Sequence, residues 1–232
     1  MALPKLEVPT YSAKLPSSGQ NIIYRPFLVK EHKILLTLMQ SDVSEISRVV
    51  TELVDACTFN RLDVQKLASF DIEYLFLLLR ARSIGETMDL VMTCKKCEHK
   101  NEITVNLLEA SVNKDKEHSN IIKITDNISI VMNYPKIKDT LYFFNNLNQD
   151  EIFDFVIKSI ESIVIDDEVY ETKDQTKEEI DNFVNSMTKD QFDKLESFFL
   201  TMPKLTQKIN KICENCNELN ETVLEGLENF FV

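Results

Sequence analysis

Residues 94–102 read Cys-Lys-Lys-Cys-Glu-His-Lys-Asn-Glu, and residues 213–221 read Cys-Glu-Asn-Cys-Asn-Glu-Leu-Asn-Glu. Both segments hold two cysteines with two residues between them, and both continue with Asn-Glu at the same distance. Each segment lies between two stretches that could form β-strands, which are residues 88–93 and 103–107 for the first and residues 207–212 and 222–224 for the second. The repeat therefore predicts two similar hairpins, each with two thiols in its turn.

Four cysteine thiolates in a tetrahedron form the closed ligand shell of a structural zinc site, and one C-x-x-C turn supplies two of them. The sequence therefore predicts structural zinc bound by Cys94, Cys97, Cys213 and Cys216. Residues 98–212 separate the two pairs, so the fold has to bring them together. Such a site would contribute on the order of 10 kcal/mol to holding these regions together. Two alternatives are a redox-active C-x-x-C pair and four unconnected thiols.

Cys57 and His99 are weaker ligand candidates than the four paired cysteines. The fifth cysteine, Cys57, completes an apolar stripe of helical spacing over residues 46–57, which predicts a small buried core residue rather than a ligand. His99 lies too close to the first pair to be a natural fourth ligand when a second pair exists. Three lysines could offset part of the charge of a four-thiolate zinc centre: Lys95, Lys96 and Lys211.

The rest of the chain contains segments with the apolar spacing of helices and segments with the alternation of strands. Apolar spacing predicts helices over residues 46–57 and 69–82, the second with Ser69 as N-cap and Gly85 just past its end. Alternation predicts a strand at 101–107 and a hairpin at 121–134. The pattern over 138–201 is helical, apart from a short extended piece at 163–170 that turns at Asp166-Asp167. Two capping boxes are predicted in that region, Thr176 with Glu179 and Thr188 with Gln191.

These elements predict an α+β fold with a mainly helical body and short β-hairpins that form a split, zinc-ribbon-like site of four cysteines. Prolines at positions 4, 9, 16 and 26 predict an extended N-terminal arm, because each favours extended backbone before it. The predicted division is an arm (1–30), a helical subdomain (31–86) and a third part (87–232). In the third part, hairpins at 87–108 and 207–232 bracket a β-hairpin and an acidic helical region at 109–206.

The composition of the chain argues against several classes of function. The chain has 232 residues and a formal net charge of −12, most of it between residues 146 and 200. A negative chain is a poor match for the phosphate backbone of nucleic acid, although an acidic face could also dock a basic partner. Three glycines are too few for a glycine-rich phosphate loop. No secretory signal and no apolar run of the ~18–20 residues needed to span a membrane is present, so we expect an intracellular setting, where C-x-x-C pairs favour metal over disulfides.

The sequence contains no recognisable catalytic constellation. The motifs GxSxG and HExxH are both absent. Two acidic clusters, Asp166-Asp167-Glu168 and Glu178-Glu179, are better explained as a turn and as the first turn of a helix. We therefore expect a non-enzymatic protein with no catalytic residue, no small-molecule substrate and no bound cofactor other than zinc.

Several motifs recur in order in one known family. They are Leu3-Pro-Lys-Leu6, Pro9-Thr-Tyr11, Tyr24-Arg-Pro-Phe-Leu-Val-Lys-Glu31, Phe70-Asp-Ile-Glu-Tyr-Leu-Phe76, Leu79-Arg-Ala-Arg-Ser-Ile-Gly-Glu86, Phe198-Phe-Leu-Thr-Met-Pro-Lys-Leu205 and Leu224-Glu-Gly-Leu-Glu-Asn-Phe-Phe231, together with the two C-x-x-C pairs. With these motifs the chain resembles the baseplate hub and hub-assembly proteins of T-even-type contractile-tailed bacteriophages (myoviruses). The resemblance implies a non-enzymatic role in building the tail hub, with other baseplate hub and tail proteins as partners.

The resemblance leaves two roles open. A hub component would remain in the virion, in the tail baseplate, whereas a hub-assembly chaperone would act in the host cytoplasm and be absent from the mature particle. A hypothesis from another class is a zinc-ribbon nucleic-acid-binding protein, which would use the lysines near the two pairs: Lys95, Lys96, Lys100, Lys204, Lys208 and Lys211. A third hypothesis is a thiol oxidoreductase that uses one C-x-x-C pair.

Overall fold

The computed structural model describes residues 6–38, 43–139 and 149–226. The chain forms two compact units. Unit 1 consists of Met1–Asn113 together with Lys204–Val232, and unit 2 consists of Lys114–Pro203. The sequence-based division at residues 30 and 86 remains a proposal, because compactness does not test which segments fold independently.

Unit 1 contains three helices and seven strands among its described residues. The helices are α1 (Val29–Leu38), α2 (Val43–Cys57) and α3 (Ser69–Ser83). The strands are β1 (Tyr11–Lys14), β2 (Asn21–Tyr24), β3 (Thr87–Thr93), β4 (Lys100–Asn106), β5 (Ser111–Asn113), β10 (Lys204–Ile212) and β11 (Leu219–Glu225).

Three antiparallel sheets organise these strands. The pairs β1–β2 and β3–β4 are two-stranded hairpins, and β10 lies between β11 and β5 in a three-stranded sheet. Side chains from α3, from β3 and from the segment around β5 meet β10 in a buried cluster: Leu77, Ala81, Met88, Leu107, Ala110 and Leu205. This cluster lies under the bases of both cysteine hairpins, so the core positions the two hairpins relative to each other.

The predicted extended arm is wrong for residues 11–24, which form the β1–β2 hairpin. Gly19 takes a positive φ of 70° in its turn, a conformation that glycine adopts without strain. The hairpin packs on α3, where Asp71 Oδ1 accepts a hydrogen bond from the Ser17 N–H at 2.9 Å. The Arg82 guanidinium also lies 4.8 Å from the centre of the Tyr11 ring. The proline pattern did not reveal this docking, because it depends on contacts with residues far along the chain.

A buried ion pair lies where the hairpin leads into α1. The Arg25 guanidinium contacts the Glu31 carboxylate at 3.0 Å, and Glu31 is 3% exposed. Glu31 is also the third residue of α1 and accepts the Leu28 N–H at 2.7 Å, which satisfies a donor at the start of the helix. Arg25 donates to the Ala56 carbonyl at 3.2 Å as well, so the pair connects α1 to the end of α2.

Unit 2 is an antiparallel sheet packed with helices. Its strands are β6 (Ile121–Lys123), β7 (Ile128–Met132), β8 (Ile160–Ile165) and β9 (Glu168–Glu171), and its helices are α4 (Gln149–Lys158), α5 (Lys177–Asn185) and α6 (Lys189–Thr201). The sheet order is β6-β7-β8-β9. The sheet and the helices share one apolar core: Ile124, Ile130, Met132, Val156, Ile160, Ile163, Val184, Phe192, Leu195 and Phe198.

The fold class predicted from sequence is wrong in its proportions. In the part of the chain that the structure describes, four antiparallel sheets accompany the helices, so the body there is α+β and not mainly helical. The zinc-ribbon part is not confirmed as a fold unit, since the two cysteine hairpins belong to separate sheets and β10 continues onto β5. Short strands were underestimated because residues such as Ile160–Ile165, which are buried or half-buried apart from Glu161, carry no regular polar–apolar alternation.

Predictions of individual turns, helices and helix caps agree more closely with the structure than the predicted fold class does. The hairpin within residues 121–134 and the turn at Asp166-Asp167 are confirmed, and both aspartates have positive φ. The helix predicted over 69–82 is confirmed as α3, but its N-cap is Ala68 rather than Ser69. The predicted capping boxes are also confirmed at the starts of α5 and α6.

The capping boxes yield a stability prediction. Thr176→Ala and Thr188→Ala should each lower the free energy of unfolding of unit 2 by about 1 kcal/mol, because each removes the acceptor for a backbone N–H in the first helical turn. Urea unfolding followed by circular dichroism measures the change. Thr176→Ser and Thr188→Ser, which keep a hydroxyl acceptor for the same backbone N–H, are the matched controls and should retain nearly all of the stability. Equal losses in the alanine and serine variants would contradict a capping effect.

Candidate metal centre

The two cysteine turns have the same backbone geometry. In the β3–β4 hairpin the Cys94 N–H donates to the His99 carbonyl at 2.8 Å, and the Glu98 N–H donates to the Cys94 carbonyl at 3.0 Å. In the β10–β11 hairpin Cys213 makes the equivalent bonds with Glu218 and Asn217, at the same distances. The fourth residue after the leading cysteine is left-handed in both turns, with φ of 58° at Glu98 and 57° at Asn217. The internal repeat in the sequence is therefore a repeat of structure.

The fold brings all four predicted ligands together. The Sγ atoms of Cys94, Cys97, Cys213 and Cys216 all lie within 4.8 Å of one another. The pairs Cys94–Cys216 and Cys97–Cys213 are each separated by 3.6 Å. This is far beyond the ~2.05 Å of a disulfide. It is close to the ~3.8 Å between sulfurs that a tetrahedral zinc with Zn–S bonds of ~2.3 Å requires.

The first cysteine of each pair is more deeply buried than the second. Cys94 and Cys213 are 1% and 0% exposed, whereas Cys97 and Cys216 are partly exposed. The cluster therefore lies at the surface of unit 1, with two thiols facing inward. Cys57 is fully buried at the end of α2, away from this cluster, as the helical stripe predicts. Burial raises the pKa of its thiol to about 11.

The electrostatics of the cluster match a cation-binding site. Backbone N–H groups of Lys96 and Cys97 lower the pKa of Cys94 to about 6. At Cys216 the backbone N–H of Glu218 acts in the same direction, but the hydrogen-bonded neighbouring thiols and burial outweigh it and raise the pKa to about 12. Opposed pKa shifts are expected when several thiols lie close together, because the charge on one thiolate makes ionisation of the next thiol less favourable. A divalent cation offsets this charge repulsion, since it binds all four cysteines as thiolates.

Two buried asparagines adjoin the thiols. Asn101 Nδ2 lies 3.7 Å from Cys213 Sγ, and Asn220 Nδ2 lies 3.5 Å from Cys94 Sγ. Their recurrence four residues after each C-x-x-C pair is visible in the sequence, but the spacing alone predicts no role for their side chains.

The three lysines predicted to offset the charge of the metal centre contact oxygen atoms of the protein. Lys96 pairs with Glu218 at 2.9 Å and Lys211 pairs with Glu214 at 2.7 Å, while Lys95 Nζ donates to the Glu221 carbonyl at 3.1 Å. Each lysine therefore has a protein oxygen as its partner. His99 is exposed and is not a member of the thiol cluster.

The acidic clusters and the buried histidine have structural roles among the described residues. Asp166 and Asp167 form the β8–β9 turn, and Glu179 completes a capping box. His118 is buried in unit 2, where its ring nitrogens lie 3.0 Å from the hydroxyls of Thr201 and Tyr134. Burial lowers the pKa of His118. His118 is not a member of the thiol cluster.

Comparison with known proteins identifies the family. The model of the family described as T4 bacteriophage base plate protein matches residues 8–232. The chain belongs to this family. No curated protein and no solved structure matches the chain.

Membership in the base plate family supports a structural or assembly role in the phage baseplate. It also supports a location in the virion tail and other phage tail proteins as partners, and it favours a non-enzymatic role. Within the described residues, helices that combine the length and apolarity needed to cross a membrane are absent.

Proposed function

We propose that this base plate protein builds the central hub of a contractile phage tail through protein–protein contacts, with a structural zinc bound by its four clustered cysteines. The observation that carries the role is the family match over residues 8–232. The motifs shared with baseplate hub and hub-assembly proteins support the hub as the place of action.

The chemistry of the donor set supports zinc as the metal. Four thiolates are soft ligands in a tetrahedral arrangement, which zinc accepts in closed structural sites. With four protein ligands the ion has no open position, so it would stabilise the fold and activate no water or substrate. Cys94 and Cys97 would bind it from one hairpin, and Cys213 and Cys216 from the other.

The proposed role of zinc is to fix the geometry of a surface. The hairpins come from distant parts of the chain, and Lys96–Glu218, an ion pair that links them, is exposed. Exposed ion pairs contribute about 0–1 kcal/mol each. A zinc ion contributes on the order of 10 kcal/mol, and would hold this end of unit 1 rigid for docking onto another tail protein.

Deletion of the gene tests the proposed role. We expect infected cells that lack the protein to accumulate tail precursors without assembled hubs, and the wild-type gene supplied in trans to restore complete tails. A gene with codons for Cys94 and Cys213 changed to serine should fail to restore them, whereas one encoding Cys57→Ser should succeed. Normal tail assembly without the gene would contradict the proposal. Electron microscopy of lysates gives the measurement.

Quantitative mass spectrometry of purified virions separates the two versions of the role. A hub component should be present in a fixed ratio to other baseplate proteins. A hub-assembly chaperone should be abundant in the host cytoplasm and absent from finished particles. We favour the component.

A further inference from the structure

Asn101 and Asn220 occupy equivalent positions in the two cysteine hairpins. Each lies four residues after the second cysteine of its own pair, and they are 0% and 2% exposed. A buried side-chain amide is costly unless both its oxygen and its nitrogen have partners. The partners of these two amides therefore indicate what the residues do.

The Asn101 amide reaches across to the other hairpin. Its Oδ1 accepts the Glu214 N–H at 3.0 Å, and its Nδ2 donates to Cys213 Sγ at 3.7 Å. Nδ2 also donates to the Met92 and His99 carbonyls of its own hairpin, at 3.3 and 3.2 Å, which orients the amide. Asn101 therefore contacts both the leading cysteine of the opposite pair and the residue that follows it.

The Asn220 amide makes the same contacts in the reverse direction. Its Oδ1 accepts the Lys95 N–H at 2.9 Å, and its Nδ2 donates to Cys94 Sγ at 3.5 Å. Nδ2 also donates to the Glu218 carbonyl of its own hairpin at 3.0 Å. The two asparagines therefore make reciprocal contacts, each from its own hairpin to the leading cysteine of the other.

We propose that Asn101 and Asn220, here called the asparagine pair, are positioning residues for the metal centre, each holding the leading thiolate of the opposite hairpin. This inference rests on the proposed zinc site. Hydrogen bonds to ligand atoms orient them and tune their basicity, and loss of such a partner typically costs 10–100-fold in metal affinity. Because these bonds are buried, solvent screens them less than it screens the exposed lysine contacts between the hairpins.

The asparagine pair also explains why the sequence repeat extends beyond the cysteines. A C-x-x-C turn alone fixes two sulfurs relative to each other, but not relative to the other hairpin. The amide oxygen fixes the backbone just after the opposite leading cysteine, and the amide nitrogen fixes its sulfur. Two such contacts, one in each direction, fix the spacing between the hairpins at the metal centre.

Zinc competition with a chromogenic chelator, using the full-length protein, tests the proposal. Asn101→Asp and Asn220→Asp each keep the oxygen acceptor but cannot donate to the thiolate. We expect either change to weaken zinc binding 10–100-fold, and the double variant to weaken it further. Asn101→Ala, which adds no charge, should also weaken it. Asn113→Asp, an exposed asparagine on β5, is the matched control and should bind zinc like the wild type.

The order of thiol alkylation in the zinc-loaded protein gives a readout that a merely structural role would not produce. Removing an N–H donor leaves more negative charge on the sulfur, so that sulfur should react sooner with iodoacetamide. Asn101→Ala should advance the alkylation of Cys213, and Asn220→Ala that of Cys94, so in each variant the affected thiol belongs to the other hairpin. Peptide mass spectrometry identifies the alkylated cysteines.

The outcomes separate this inference from the site on which it rests. Wild-type protein that binds no zinc would overturn the proposed site, and the asparagine pair with it. Wild-type protein that binds zinc, with variants that bind it equally tightly, would overturn the positioning role alone. Faster alkylation within the mutated hairpin, instead of across from it, would likewise contradict the role. Weaker zinc binding together with the crossed alkylation pattern would support it.

Discussion

Cys94→Ser and Cys213→Ser proteins are expected to contain no zinc and to have unit 1 largely unfolded under conditions where the wild type is folded. Serine has nearly the size of cysteine, but its hydroxyl does not replace a thiolate as a zinc ligand. Three remaining thiolates would bind the ion far more weakly. A structural zinc contributes on the order of 10 kcal/mol, which is comparable to the ~5–15 kcal/mol net stability of a whole domain.

Elemental analysis of the purified variants measures zinc, and urea unfolding measures stability. Cys57→Ser is the matched control, because Cys57 is as deeply buried as Cys213 but lies outside the cluster. It should keep one zinc per chain even if the buried hydroxyl costs some stability. Equal metal loss in all three variants would contradict the ligand assignment. Prolonged treatment of the wild type with a strong chelator should reproduce the unfolding of the Cys94→Ser protein.

The second large effect is expected at the buried ion pair in unit 1. Glu31→Ala should lower the free energy of unfolding by about 3–5 kcal/mol, because it leaves the charge of Arg25 buried without its partner. The same change removes the acceptor of the Leu28 N–H at the start of α1. Urea unfolding measures the loss. Glu45→Ala removes a half-exposed carboxylate that pairs with Arg48 on α2 and should cost less than about 1 kcal/mol.

The same carboxylate predicts a dependence of stability on pH. Burial opposes the ionisation of Glu31, but the hydrogen bonds from Arg25 and from the Leu28 N–H, together with the charge of Arg25, outweigh it and lower its pKa. A lowered pKa in the folded state means that the stabilisation is complete above the ordinary glutamate value of 4.5 and is lost as the pH falls below it.

Glu31→Gln should be less stable than the wild type at pH 7 and should lack the part of the acid destabilisation that comes from this group. The difference in unfolding free energy between the two proteins should therefore shrink between pH 6 and pH 3. A constant difference over that range would show that Glu31 does not titrate as proposed.

Much of the candidate site was predictable from sequence. The spacing of two residues between cysteines fits one tight turn, and the alternation on either side of each pair fits strands, so the hairpins and the four thiols follow from local patterns. The helical stripe that ends at Cys57 set this thiol apart from the other four. The capping boxes were equally accessible, since all their atoms lie within four residues of one another.

Contacts between distant residues could not be predicted in this way. The docking of residues 11–24 as a hairpin depends on Asp71 and Arg82 of α3, which no period or spacing within the hairpin indicates. The Arg25–Glu31 pair is local in sequence, but its burial comes from α2. The proportion of strand was also missed, because strands buried on both faces resemble short pieces of buried helix.

The sequence by itself determined the turns, the caps and the identity of the four candidate ligands, because each depends on residue type and spacing within a few positions. Only the tertiary structure decided that the two pairs meet, with sulfurs 3.6 Å apart across the hairpins, and that each asparagine contacts the opposite pair. The physical reason is that burial in a shared core sets the relative position of two hairpins, and that core combines residues of α3, of the segment from β3 to β5 and of β10, which are far apart in sequence.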